Sequence, residues 1–88
     1  MNQTRAQQID EQRRRVTDAQ VAYEFATHYT KEVLRERAQW PEGSPRADIA
    51  YQLNRALAEE SRCLVLYRSE LATLMHMQRD QRHLSGYA

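Results

Sequence analysis

The placement of helix breakers constrains this chain more than any other feature. It contains two Gly and two Pro, at Pro41, Gly43, Pro45 and Gly86. Every residue from Met1 to Trp40 and from Arg46 to Ser85 is therefore free of both. Uninterrupted stretches of that length favour helices over strands. The cluster Pro41-Glu42-Gly43-Ser44-Pro45 reads as one sharp reversal. Pro41 disfavours helix at the residue before it, and Gly43 tolerates the backbone angles a reversal needs. Ser44 followed by Pro45 reads as an N-cap with Pro at the first helical position, and Asp48 adds negative charge to the first turn. The expected domain is a single helical hairpin over residues 1–88: a helix over about 4–40, a turn over 41–45, a helix over about 45–83 and a short tail over 84–88.

The apolar pattern agrees. In the first stretch Ile9, Val16, Tyr23 and Thr30 recur every seven residues, as do Ala19, Ala26, Val33 and Trp40, with Gln12 and Arg37 as interruptions. This is the seam of antiparallel or coiled helices. In the second stretch the seam reads Ala50, Leu53, Leu57, Glu60, Leu64, Tyr67, Leu71 and Leu74. The turn is too short for anything but antiparallel neighbours. Folding about Gly43 pairs residues whose numbers sum to about 86. That register sets Ala19 opposite Tyr67, Tyr23 opposite Leu64, Ala26 opposite Glu60 and Val33 opposite Leu53. Glu60 would sit in the seam, with Tyr29 or Thr30 as its donor.

Two helices cover only one stripe each, and this chain carries more. Val21, Ala22, Phe25 and Tyr29 lie off the first seam, and Ile49, Ala56, Cys63, Val65, Leu66 and Met77 off the second. Val21, Phe25, Tyr29, Cys63 and Leu66 are the expected protein interface, since a contiguous apolar patch marks a contact surface. The fold class is therefore all-α, an antiparallel hairpin expected to pair with a second copy into a four-helix bundle. A hairpin of 88 residues buries a small core, which also favours association.

Composition limits the function classes. Net charge is +1, so no overall basic field draws in nucleic acid. The local exception is Arg5 with the run Arg13, Arg14 and Arg15, joined at the same end by Arg79 and Arg82, which would suit phosphates or an acidic protein surface. Asp10, Glu11 and Asp80 dilute it. One cysteine excludes an internal disulfide and suits a reducing compartment. No apolar run approaches a membrane span and no signal-peptide core precedes the first helix, so the expected compartment is the cytoplasm, with export by a route lacking a cleaved signal still compatible.

Candidate chemistry is sparse. Glu24, His28 and Glu32 share a helix face at metal-ligand spacing, yet the same spacing describes ordinary surface pairs. His76 and His83, beside Met75 and Met77, read as residues suited to a helix C-terminus. Cys63 has no base placed to activate it and reads as a small apolar contact. No cofactor, metal or catalytic constellation is expected, and the chain does not read as an enzyme. The leading expectation is a non-enzymatic adaptor, chaperone or inhibitor that binds itself and another protein. The alternative is a nucleic-acid-binding bundle using the Arg-rich open end.

Overall fold

The computed structural model describes the backbone of residues 4–39 and 47–85, and the side chains of 4–39 and 49–81. Two helices account for nearly all of it: α1 over Arg5–Ala38 and α2 over Ala47–Ser85. They pack antiparallel along their length, and no strand occurs among the described residues. The fold is thus an all-α helical hairpin. The expected reversal at Pro41-Gly43 and cap at Ser44-Pro45 lie outside the described residues, as do Trp40 and Gly86.

The start of α1 has a clear local cause. The Thr4 hydroxyl accepts a hydrogen bond from the Gln7 backbone N–H, and the Thr4 N–H donates to Gln7 Oε1 at 2.9 Å. This capping box satisfies two of the donors that the first turn of a helix leaves open. At the other end Arg35 and Arg37 place positive charge beside the helix C-terminus, where the dipole favours it.

The hairpin is thin. Its Cα extents are 69 × 26 × 14 Å and its radius of gyration is 19.8 Å. A compact domain of this length would have a radius near 12 Å. One layer of two helices leaves each with a single covered stripe, and among the described residues no large side chain is fully buried.

On α1 the covered stripe is the expected one, Ile9, Val16, Ala19, Ala26, Thr30 and Val33, with Tyr23 half-buried. Gln12, expected as an interruption, is buried within it at 5% exposure. On α2 the seam is rotated relative to the expectation. The row Leu53, Glu60, Tyr67 and Leu74 faces inward. Its companion row is Ile49, Ala56, Cys63, Glu70 and Met77. The expected companions Ala50 and Leu57 are exposed, while Leu64 and Leu71 are half-buried on the flank.

The register also differs. The Gln12 amide donates to the Glu70 backbone carbonyl at 2.8 Å and to its carboxylate at 3.1 Å, residue numbers that sum to 82. Ile9 and Val16 cluster with Leu74, and Tyr67, Leu71 and Met77 pack against them. Advancing by sevens along both helices from the Gln12–Glu70 contact sets Ala19 level with Cys63 and Ala26 level with Ala56. Small residues therefore meet small residues at mid-hairpin, where the expected register set Ala19 against Tyr67 and Ala26 against Glu60. Side chains this small let two backbones approach closely, so a pair of helices excludes water from its midline without a third partner.

Candidate protein-interaction surface

Of the five residues expected at the interface, Val21, Phe25, Tyr29 and Leu66 are exposed, Phe25 most of all at 71%. Cys63 is not among them. At 7% exposure it lies in the seam, because its heptad row is the inner row of α2. Its thiol donates to Glu59 Oε1 at 3.7 Å. Burial, then the neighbouring Glu59 carboxylate, pushes the Cys63 thiol above its ordinary value. Both effects disfavour the thiolate that nucleophilic chemistry needs.

The apolar side chains divide between two sides of the hairpin. Tyr29 of α1 and Gln52, Ala56 and Glu59 of α2 line one open groove of about 500 Å³, together with Tyr51 and Arg55. These residues fix which flanks share a side. Phe25, one turn before Tyr29, and Leu66, seven residues after Glu59, extend it. Arg55 caps the Tyr51 ring at 5.9 Å, a cation–π contact at the end of the groove. The opposite side carries Leu34 with Leu57, Leu64 and Leu71, a leucine row each member of which follows an inner residue by one.

Polar residues frame the Phe25 side. Arg62 donates to Glu59 through two nitrogens. That hydrogen bond is the main cause holding the Glu59 carboxyl below and the Arg62 guanidinium above their usual values. Glu32 accepts from Arg35 at 3.2 Å and lies 3.8 Å from His28 Nε2. On the leucine side, Glu60 is half-buried and accepts from Thr27 at 3.4 Å, neither of the two donors expected for it. Tyr29 is exposed, and the Thr30 hydroxyl donates to the Ala26 carbonyl one turn back.

The other candidates resolve into surface pairs. Glu24 accepts from Gln20, and His28 faces Glu32. His76 lies 3.7 Å from Asp80, and the His83 side chain is outside the described residues. Among the described residues no group of three His, Cys, Asp or Glu side chains is placed to hold a metal ion. At the open end Arg5 pairs with Asp80 at 3.6 Å, Arg13 with Asp10 at 3.5 Å and Arg15 with Glu11 at 3.6 Å. No carboxylate among the described residues pairs with Arg14, and the Arg82 side chain is outside them. No described helix is long and apolar enough to cross a membrane.

The chain matches no family model, and no curated protein or solved structure is significantly similar to it.

The Gln12–Glu70 contact is the feature that sequence reasoning missed. Gln12 occupies the same heptad position as Ala19, Ala26 and Val33, and that position was the available signal.

Proposed function

We propose that this hairpin is a non-enzymatic interaction protein that forms a homodimeric four-helix bundle and acts by binding another protein through apolar helix surface, as an adaptor, chaperone or inhibitor. One observation carries the reading. With no large side chain fully buried among the described residues, the hairpin leaves Val21, Phe25, Tyr29, Leu34, Leu57, Val65 and Leu66 in water. Burial of such side chains is worth roughly 1.5–3 kcal/mol each, so a monomer forgoes a large share of its available stabilisation. Exposed apolar patches of this kind mark contact surfaces. Stacking two thin hairpins face to face covers the apolar residues of one side and yields a two-fold assembly in which every contact occurs twice.

The test is Phe25→Glu, read by light scattering after size-exclusion chromatography. The wild type is expected to elute as a dimer at micromolar concentration and Phe25→Glu to shift toward monomer. Glu24→Gln, on the neighbouring outer face, is expected to leave the mass unchanged. A wild type that is monomeric at that concentration defeats the self-association.

A further inference from the structure

The two sides of the hairpin differ in the charges that border their apolar residues. On the Phe25 side the outer row of α1 reads Glu11, Asp18, Phe25 and Glu32, each seven residues from the next. The outer row of α2 on the same side reads Arg55, Arg62, Ser69 and His76, at the same spacing. The α1 row is therefore acidic, with Phe25 within it, and the α2 row basic; the rows between them hold Tyr29 and Leu66, with Arg15 on α1 and Glu59 on α2 offsetting part of each border. The leucine side is less sharply divided. There Asp10, Thr17, Glu24 and Lys31 border α1, and Asn54, Ser61, Arg68 and Met75 border α2.

We infer that the Phe25 side binds a second copy of this chain, with α1 of each protomer lying antiparallel along α2 of its partner, held in that arrangement by Asp18 and Glu32 of one protomer against Arg55 and Arg62 of the other. The inference rests on the self-association proposed above and adds its face, its axis and its charged contacts.

Two-fold symmetry allows two ways to stack the hairpins. An axis perpendicular to the helices sets α1 on α1 and α2 on α2, which opposes acidic border to acidic border and basic to basic. An axis parallel to the helices sets α1 on the partner's α2 and opposes acidic to basic along both edges. Like charges directly opposed cost free energy, whereas complementary borders fix orientation and register.

The parallel axis also conserves height along the bundle, so the register within one hairpin carries over between protomers. The level of Asp18 then falls two residues from Arg62 and that of Glu32 five from Arg55. At 1.5 Å per residue these are offsets of about 3 and 7.5 Å, which arginine, aspartate and glutamate side chains bridge. Arg62 already donates to Glu59, and its guanidinium has five N–H donors, enough for a second carboxylate. Arg55 is exposed above the Tyr51 ring, and Asp18 is exposed with no described partner.

Two charge-reversed double variants test the arrangement: Asp18→Arg with Glu32→Arg, and Arg55→Glu with Arg62→Glu. Asp18, Arg55 and Arg62 are exposed and Glu32 is half-buried, so each hairpin should keep its helical circular dichroism. Each variant alone is expected to dimerise at least about tenfold more weakly than wild type at low salt. An equimolar mixture of the two is expected to restore a dimer, seen by native mass spectrometry as the heterodimer. If the wild type is dimeric and both variants dimerise equally well, the subunits meet through another face or axis and this inference falls while self-association stands. Weakened variants that fail to recover on mixing overturn it as well. A monomeric wild type removes both readings.

Discussion

At the scale of single residues, Gln12 and Cys63 report on the seam between the helices. Gln12 sits in a seam that could hold an apolar side chain, and spends its amide on the Glu70 carbonyl and carboxylate. A polar side chain in an otherwise apolar seam fixes register, since only one alignment satisfies it. Gln12→Ala removes both hydrogen bonds, one of them to a carboxylate, and is expected to lower unfolding free energy by about 1–2 kcal/mol in urea titrations. Cys63 tests the seam differently. Its raised thiol value and its burial predict slow alkylation by iodoacetamide at pH 8 in the folded protein, and rapid alkylation once urea unfolds it. A rate equal to that of a free thiol in the folded protein would put Cys63 on the surface. The linkage has a definite sign. A thiol whose folded value exceeds its unfolded value contributes stability below the unfolded value and loses that contribution as pH rises through the folded one. Any stability change from Cys63 therefore falls in the alkaline range.

At the scale of elements, each helix carries an inner stripe and two unequal flanks. The arginines near the start of α1 show how an element's chemistry depends on its neighbours. As a sequence, Arg13-Arg14-Arg15 is a basic run; in the fold, Asp10, Glu11 and Asp80 lie beside Arg13, Arg15 and Arg5. Those carboxylates would compete with any phosphate for the same guanidinium groups. Replacing Arg13, Arg14 and Arg15 with Ala is therefore expected to change affinity for duplex DNA or RNA little, because wild-type binding at 50 mM salt is expected to be weak. Tight wild-type binding that falls steeply between 50 and 200 mM salt, as counterion release requires, would instead revive the nucleic-acid reading.

At the scale of the whole molecule, shape and stability are linked. A hairpin 69 Å long and 14 Å thick has much surface for its volume. In the proposed dimer, association would supply what a larger core supplies in compact domains. If folding and dimerisation are coupled, the melting temperature depends on protein concentration. Taking typical unfolding enthalpies per residue for two chains, it is expected to rise about 4 °C per tenfold increase in concentration, measured by circular dichroism between 1 and 100 µM. A melting temperature independent of concentration would mean that the hairpin melts as a monomer. The Phe25→Glu variant should then match wild type at every concentration.

Much of the fold is legible in the chain itself. The absence of Gly and Pro from two long stretches gives two helices, and the expected start of the first at about residue 4 falls within one residue of Arg5. The inner stripe of α1 is equally plain, because Ala19, Ala26 and Val33 have no competing row of similar regularity. On α2 the sequence offered two companions for Leu53, Glu60, Tyr67 and Leu74. One was the row of Ala50, Leu57, Leu64 and Leu71; the other was Ile49, Ala56, Cys63, Glu70 and Met77. Both satisfy helical periodicity, and hydrophobicity alone favours the leucines. The tertiary structure takes the other row, and the register moves with it. Ala56 and Cys63 are small enough to let α2 approach Ala26 and Ala19 closely, while Glu70 supplies the acceptors that buried Gln12 requires. The leucines are left to cover the flank. Periodicity names the candidate faces of a helix, but which one is buried depends on how near the other backbone comes and on whether its buried polar groups find partners, and both are properties of the packed pair.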